Sequence, residues 1–385
     1  MSRYGVASLG GAADPGTRPW PATGRGTGYE GRRVGSTGTG SATGRYGADA
    51  QSIRRNVSDG TGMLLLGACA GWSLITAAAH DGRPEGMLLA VLAVAAGYAT
   101  GRVSGALLPV AAPCAGAVVG LALAAALPGL SPGPWYAAPP GHAGATAALL
   151  TLTAGAACCA AWATAVPALR LGLGALACAT VPAGVALGSA AGCVAGAAVL
   201  LCSLAAGSAR GRGPWLTGPA LAAGVVAATI WALAAGALPD GLAGALEGRF
   251  PAHRVQQWRD ALRLAGRNSG LGVGPGRFGE LSRITPRTPL SDGRPHSAPL
   301  QQAAEQGVIG VFLLVAVFCW VLYALWRTPR PTPVALTAGA ALTALAALAS
   351  VSNALSFTTV TAGAGLLAGW ATARPWAGDA LAPGR

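Results

Sequence analysis

From about residue 60 to residue 371, long apolar blocks alternate with short polar connections. A helix that crosses the hydrocarbon of a bilayer needs about 20 apolar residues. The pattern therefore predicts ten transmembrane helices, at 62–79, 86–101, 104–128, 142–166, 171–188, 189–208, 215–238, 301–326, 334–351 and 353–371. The block from 171 to 207 is too long for one span and has no charged break, so we expect two short helices there, or one helix and a re-entrant segment. The predicted fold is an all-α, polytopic membrane protein.

The same pattern divides the chain into five regions. They are a basic cytoplasmic tail at 1–58, a seven-helix membrane region at 59–238, a large extracytoplasmic loop at 239–300, a three-helix membrane region at 301–371 and a cytoplasmic tail at 372–385. The first tail is rich in Gly, Ser, Thr and Arg and has few aliphatic residues. Such a segment buries too little apolar surface to offset chain entropy, so we predict that it is disordered. It has no apolar stretch near its start that would indicate a signal peptide.

Composition and charge support the membrane assignment. Only 10% of the residues are charged, against roughly 25% in soluble globular proteins. The net charge of +13 comes from 26 arginines, and the chain has no lysine. Placing the N-terminus inside puts sixteen arginines on the cytoplasmic side, as the positive-inside rule favours. We therefore expect a plasma-membrane protein with both termini in the cytoplasm, whose basic tail meets anionic lipid rather than nucleic acid.

The loop at 239–300 departs from this charge pattern. It carries nine arginines, although the helix order places it outside. The positive-inside rule weakens for loops near 60 residues, so the topology stands. An anionic ligand is the natural reason for so basic a loop beside the membrane.

The eight cysteines all fall inside apolar blocks. None has a C-x-x-C spacing and none stands near a histidine. We expect them to pack between helices, without disulfides and without a metal site.

Residues 254–265 of the loop have helical periodicity, with an apolar face that includes Val255 and Trp258. Arg259, Arg263 and Arg267 form a stripe on the opposite face, for which we expect contact with solvent or lipid headgroups. Arg254 falls at the edge of the apolar face. A guanidinium there needs a partner, and both a ligand and a structural salt bridge remain open.

A glycine-rich segment follows at 270–276 and ends at Arg277 and Phe278. Such a segment can hold a phosphate group through its backbone N–H groups. The alternative is a tight turn that returns the loop to the membrane. It is not a nucleotide-binding fingerprint, because no strand precedes it and no Gly-Lys-Ser/Thr ends it.

Two ionisable residues mark the end of the loop. His296 stands where the polar loop re-enters the membrane, within the arginine-rich region. Glu305 is the one carboxylate inside an apolar block, and an ionisable group within a membrane is a candidate functional residue. Its expected partners are Arg254, Arg277 or His296.

In order, these residues resemble the O-antigen ligase and polymerase superfamily. The resemblance covers about residues 250–325 and consists of Arg254-x-x-x-Trp258-x-x-Ala261-Leu262, Gly272-Val273-Gly274-Pro275-Gly276-x-Phe278 and His296-x-x-x-Leu300-x-x-x-x-Glu305-x-Gly307-x-x-Gly310. Ser297 and Pro299 stand where family members often have Asn and an aromatic residue.

The resemblance implies a metal-independent glycosyltransferase without a cofactor. Its donor would be a glycan on undecaprenyl pyrophosphate, and its acceptor a hydroxyl of another glycan or of a lipid-linked sugar. The family's functional residues correspond to His296 as the catalytic base and to Arg254 and Arg277 as pyrophosphate ligands, to which we add Arg283. Trp258, Gly274, Gly276 and Glu305 would support the site. Whether the reaction is that of a ligase or a polymerase stays open.

Two other function classes remain. A lipid-linked glycan flippase or transporter would use the same helices, although ion-coupled transporters usually place acidic residues or histidines near the bilayer midplane. A membrane scaffold would explain the helices but not the nine loop arginines beside a histidine.

Overall fold

The computed structural model describes the backbone of residues 40–126, 142–209, 211–282 and 294–374, and side chains from residue 59 onward within those ranges, except that of His142. By its internal contacts, the chain from Arg54 onward is one compact unit. Across these ranges the regular elements are helices.

The helices run as follows: α1 Gly40–His80, α2 Glu85–Leu107, α3 Ala111–Ala126, α4 His142–Ala163, α5 Pro167–Ala186, α6 Ala190–Ala206, α7 Gly213–Ala235, α8 Asp240–Glu247, α9 Ala252–Arg267, α10 Phe278–Leu281, α11 Ala298–Trp326, α12 Thr332–Val351 and α13 Thr358–Thr372. A 3₁₀ turn at Ala354–Ser356 precedes α13.

Seven helices in the described ranges are long and apolar enough to cross a bilayer: α1 from Asp59, α2, α4, α5, α7, α11 and α12. Two shorter apolar helices, α3 and α6, accompany them. An all-helical protein compatible with several membrane crossings is therefore confirmed, whereas the number of ten spans stays a prediction. The block from 171 to 207 forms two helices, α5 and α6, with the hydroxyl of Ser189 accepting the N–H of Gly192 at 3.2 Å as the cap of α6.

Two boundaries differ from the prediction. The break between the second and third blocks lies at 108–110, not at 102–103, so Arg102 belongs to α2. The charge of Arg102 within α2 is compensated by Asp59 of α1, whose Oδ2 lies 3.1 Å from Nη2 of Arg102. Also, α1 begins at Gly40, so residues 40–58 are helical where the sequence led us to expect disorder. Residues 1–39 lie outside the described part.

The interior of the bundle is built on α4. Its residues from Ala145 to Ala160 are all buried, and α4 packs against α3, α5, α6 and α12. Alanine is the commonest of these buried side chains, with leucine, threonine and cysteine between the alanines. Small side chains let helix backbones approach closely in lipid, where packing rather than a hydrophobic driving force holds helices together.

The closest helix contact is between α2 and α13. It is formed by Gly97, Gly101 and Gly105 on α2, facing Gly365 and Gly369 on α13. A Cβ added at Gly97 would lie 2.3 Å from a backbone carbonyl oxygen of α13, and one added at Gly101 would lie 2.4 Å from another. In the other direction, a Cβ added at Gly365 or Gly369 would lie 2.4 Å from a carbonyl oxygen of α2. These two helices therefore pack backbone to backbone, which no larger residue would allow.

Two arginines donate to backbone carbonyls at the end of the bundle where α2, α11 and α13 end. The guanidinium of Arg212 donates to the carbonyls of Thr328 at 2.6 Å and of Arg330 at 2.5 Å. The guanidinium of Arg330 donates to the carbonyls of Ala373 at 2.9 Å and Gly105 at 2.5 Å. Burial lowers the pKa of both side chains. Arg330 thus caps carbonyls at the ends of α2 and α13, and Arg212 holds the connection between α11 and α12.

Candidate functional site at the loop end of the bundle

The candidate site lies at the opposite end of the bundle, called here the loop end, where α1 ends at His80 and α11 begins at Ala298. The amphipathic helix predicted in the loop is α9, which packs against α7 and α11. Trp258 is fully buried, and its ring meets that of Phe250 edge to face with centroids 5.1 Å apart. This burial fixes α9 on the membrane helices and explains the Trp in the motif.

The arginines of α9 differ in their surroundings. On the outer stripe, Arg259 forms an ion pair with Glu247 of α8, and Arg263 pairs with Asp260 at 2.9 Å. Arg267 is exposed at the end of the helix. Arg254 is half-buried, as its position at the edge of the apolar face predicted. Two arginines of the stripe therefore meet protein carboxylates rather than only solvent or lipid.

The glycine-rich segment docks on α11 through its backbone. The N–H of Val273 donates to the carbonyl of Ala304 and the N–H of Gly274 to the carbonyl of Glu305, both at 2.9 Å. Three of its glycines have left-handed backbones: Gly272 with φ 70°, Gly274 with φ 95° and Gly276 with φ 75°. A Cβ added at Gly272 would lie 2.4 Å from the carbonyl carbon of Glu305. Glycine is therefore required both for the conformation and for the close approach.

The helix α11 is broken where this segment meets it. Gly307 has φ 69° and ψ −163°, which is not helical. The N–H of Val308 donates to the carbonyl of Ser269 at 2.9 Å, and the indole N–H of Trp72 on α1 donates to the carbonyl of Gln306 at 3.0 Å. Broken helices are tolerated in membrane proteins where protein groups satisfy the freed backbone, and they recur at binding sites.

Glu305 lies at the centre of this junction and is 8% exposed. Its carboxylate accepts hydrogen bonds from the backbone N–H groups of Gly276 and Phe278. It also accepts from the side-chain amide of Gln301 at 3.4 Å, and Arg294 is close enough to interact with it electrostatically. The turn around Gly276 therefore holds an anion, but that anion is a carboxylate of the protein itself.

The sequence left two interpretations of the glycine-rich segment open, a phosphate-binding segment and a tight turn, and these contacts distinguish between them. The N–H groups of Val273 and Gly274 donate to carbonyls of α11, and the N–H of Gly276 donates to the carboxylate of Glu305, so these three groups are already used. This supports the tight turn that returns the loop to the membrane rather than a vacant phosphate cradle.

Arg277 has a different environment from the one expected. We named it as a partner of Glu305, but its guanidinium donates to the backbone carbonyl of His80 at the end of α1, and its Nε lies 3.6 Å from a carboxylate oxygen of Glu280. Arg277 thus ties the glycine-rich segment to α1. The cation that faces Glu305 electrostatically is Arg294, which we counted in the loop charge but did not single out. Its place two residues before His296 was the only available signal.

His296 has an unusual backbone. It is buried, with 6% exposure, and has φ 48° two residues before the start of α11. A left-handed conformation is uncommon outside glycine, and such strain persists where the surroundings enforce it, often at functional sites. In the described chain, the other such residue is Asp81 with φ 51°, in the connection whose Arg83 N–H donates to the carbonyl of Pro275 at 2.7 Å.

The site residues predicted from the sequence thus fall into groups. Glu305, Gly274 and Gly276 meet at the break in α11, with Arg277 beside them, while Trp258 anchors α9. Arg283 lies outside the described residues. Within the described part of the chain, no group of three or more His, Cys, Asp or Glu side chains is placed to hold a metal ion.

Comparisons with known proteins add no relative: no protein-family model, no curated protein and no solved structure matches this chain. Function must therefore be inferred from the site and from the resemblance of its motifs.

Proposed function

We propose that the chain is a membrane glycosyltransferase of the O-antigen ligase and polymerase type. It transfers a glycan from undecaprenyl pyrophosphate to a hydroxyl acceptor at the extracytoplasmic face of the plasma membrane. The observation that carries the proposal is His296, a buried imidazole held in a left-handed backbone at the start of α11. It stands in the motif order that the resemblance requires, between the glycine-rich segment and the broken helix.

The reaction is a direct displacement at the anomeric carbon of the donor. The acceptor oxygen forms a bond to that carbon while the bond from the carbon to the pyrophosphate oxygen breaks. The pyrophosphate leaves with the electron pair and stays on its lipid. The hydroxyl proton passes to a ring nitrogen of His296, which acts as general base.

The leaving group gains negative charge as the bond breaks, and guanidinium groups stabilise such charge. Arg254 is the first candidate, because α9 carries it at the edge of its buried face. Arg277 contributes at least indirectly, because it fixes the glycine-rich segment against α1. Arg283 is proposed as a further pyrophosphate ligand from the sequence alone.

The test is glycan transfer by the purified protein in lipid nanodiscs, with a labelled glycan on undecaprenyl pyrophosphate and a hydroxyl acceptor. Loss of the general base in His296→Ala should lower the turnover rate by about 10²- to 10⁴-fold. His253→Ala is the matched control, because His253 is an exposed histidine on α9, and it should transfer at the rate of the unmodified protein.

Near-normal transfer by His296→Ala would remove the histidine from the mechanism. Movement of the labelled lipid between leaflets, with no transfer by any variant, would replace the proposed reaction by a flippase.

A further inference from the structure

We infer that a groove between α1 and α2 holds the polyprenyl chain of the donor lipid, an inference that rests on the proposed function. The groove lies within two helices that are each long and apolar enough to cross a bilayer. The motifs at the loop end concern the reacting carbon and the pyrophosphate, whereas the groove concerns the hydrocarbon part of the same molecule.

The groove is elongated along the two helices and has a volume of about 340 Å³. Apolar residues of both helices line it: Met63, Leu66, Gly67 and Ala70 of α1, and Leu88, Val91, Leu92 and Ala95 of α2. On each helix the lining extends over eight consecutive positions, 63–70 and 88–95, which is roughly 10 Å at about 1.5 Å per residue. This shape and lining suit a hydrocarbon chain that runs parallel to the helices.

The groove is open at Gly67. A Cβ added there meets no described atom within 4 Å. Five residues earlier on the same helix, a Cβ added at Gly62 would lie 2.0 Å from the ring of Trp320. The helix is therefore tightly packed at Gly62 and has free space beside Gly67, so a larger residue at position 67 would fill the groove without displacing described protein atoms.

An exposed guanidinium marks the end of the groove nearest the loop. Arg83 stands in the connection between α1 and α2, and its side chain is 77% exposed, with a carboxylate oxygen of Glu280 3.8 Å away. So exposed an ion pair is weak, which leaves the guanidinium accessible to a second anion. Leu88 lies three residues after the start of α2 at Glu85, about 5 Å along the helix axis. A lipid whose chain lies in the groove therefore has its headgroup close to Arg83, and a guanidinium suits a phosphate headgroup.

Two contacts join this end of the groove to the candidate site. The N–H of Arg83 donates to the carbonyl of Pro275 in the glycine-rich segment at 2.7 Å. The Sδ of Met87, which directly precedes the groove lining of α2, lies 3.5 Å from the side-chain Nε2 of Gln302 on α11. A lipid in the groove thus has its headgroup where the glycine-rich segment and α11 meet, which is where the proposed reaction needs the pyrophosphate.

The occupant is the donor rather than any lipid of the bilayer because of this headgroup position. A chain that moves from the bilayer into the groove exchanges one hydrocarbon environment for another, so it gains packing contacts and no hydrophobic free energy. The groove alone therefore discriminates little between chains. A lipid whose pyrophosphate is also held at the loop end gains contacts at both ends, and it can enter sideways from the bilayer.

The experiment locates the chain of the bound donor. The full-length protein in lipid nanodiscs is irradiated with an undecaprenyl pyrophosphate that carries a diazirine in its chain, and mass spectrometry identifies the cross-linked peptides. Cross-links should concentrate at 63–70 and 88–95. Gly67→Leu should lower their yield about tenfold, because the added side chain takes the space of the donor's chain. Gly224→Leu is the matched control, since a Cβ at Gly224 of α7 also meets no described atom within 4 Å, and it should leave the yield unchanged.

Cross-links of the unmodified protein that avoid both segments would overturn the inference, and so would a yield that Gly67→Leu does not change. Equal cross-linking of the segments by a phosphatidylglycerol with a diazirine in its acyl chain would also overturn it, because the groove would then hold bulk lipid. A second copy of the chain would be the occupant if Gly67→Cys, in a chain without its native cysteines, formed disulfide-linked dimers equally with and without the donor.

The inference and the proposed function can fail separately. Cross-linking that depends on Gly67, in a protein that transfers no glycan in any assay, would refute the proposed function but keep the lipid groove. Normal glycan transfer by Gly67→Leu, with an unchanged donor KM, would keep the proposed function and remove the groove from it.

Discussion

The carboxylate of Glu305 accepts the backbone N–H of Gly276, and this contact joins the break in α11 to the turn of the basic loop. A second backbone donor comes from Phe278, whose ring is buried in the same apolar cluster as Trp258. One buried carboxylate therefore couples a membrane helix to the loop that carries the candidate chemistry.

Removing this carboxylate should loosen the loop. Glu305→Leu leaves two backbone N–H groups without an acceptor, which costs about 1–3 kcal/mol for each buried group. Glu305→Gln keeps an acceptor oxygen and should lose less. The midpoint of thermal unfolding in detergent reports the difference. Glu280→Gln, which changes an exposed carboxylate on the same turn, should leave the midpoint unchanged, and equal midpoints for all three variants would show that Glu305 does not hold the loop.

The glycines at the junction should resist substitution. At Gly307 an added Cβ would lie 2.4 Å from the carbonyl oxygen of Gly270, and its φ of 69° disfavours any larger residue. Gly307→Ala should lower the yield of folded protein severalfold, measured as the monodisperse fraction in size-exclusion chromatography. Gly266→Ala is the control, because a Cβ there meets open space within a helix, where alanine is favoured by about 1 kcal/mol. A full yield from Gly307→Ala would contradict the described break in α11.

Much of this arrangement was predictable from the sequence, and part was not. Apolar block lengths located the membrane helices, and helical periodicity located α9, because both follow from local patterns. The break before α3 was misplaced at Arg102, because a single arginine between apolar blocks resembles a polar connection, and its partner, Asp59, lies 43 positions earlier in the chain. A partner so distant in the chain cannot be identified from the local sequence pattern.

In the candidate site, too, local motifs were predictable and long-range contacts were not. The motif order drew attention to His296 and Glu305, and both are buried at the loop end. The role of Arg277 was not predictable, because it depends on the carbonyl of His80, at the end of the distant helix α1. Nor did the sequence reveal that the N–H groups of Val273, Gly274 and Gly276 would donate to α11.

The packing of α2 on α13 gives a further prediction. Gly101→Leu would place a side chain against the α13 backbone, from which even a Cβ would be 2.4 Å away. The two helices must then separate, and we expect loss of the folded protein, measured by protease resistance in membranes. Gly86→Leu, at the start of the same helix where a Cβ meets open space, should remain resistant. If Gly101→Leu is equally resistant, the close contact of the two backbones does not exist in the membrane.

Arg330 should matter for stability although it is far from the candidate site. Its guanidinium caps carbonyls at the ends of two helices, α2 and α13. Arg330→Gln should lower the free energy of unfolding by about 2 kcal/mol, as expected when buried acceptors lose a charged donor. Arg327→Gln removes an exposed arginine three residues earlier and should have little effect. Denaturant titration of both variants in detergent provides the comparison, and equal losses would refute a capping role.

The measurement that bears most directly on the central claim is the side of the membrane on which the loop lies, since the donor glycan is expected outside. Single cysteines are introduced as Arg267→Cys in the loop and Arg327→Cys after α11, in a variant without the eight native cysteines. In intact cells, a membrane-impermeant maleimide should label the cysteine at position 267, and it should label the one at 327 only after permeabilisation. The opposite result would be labelling of the cysteine at position 327 in intact cells and of the cysteine at 267 only after permeabilisation. It would place the basic loop in the cytoplasm and contradict the proposed reaction.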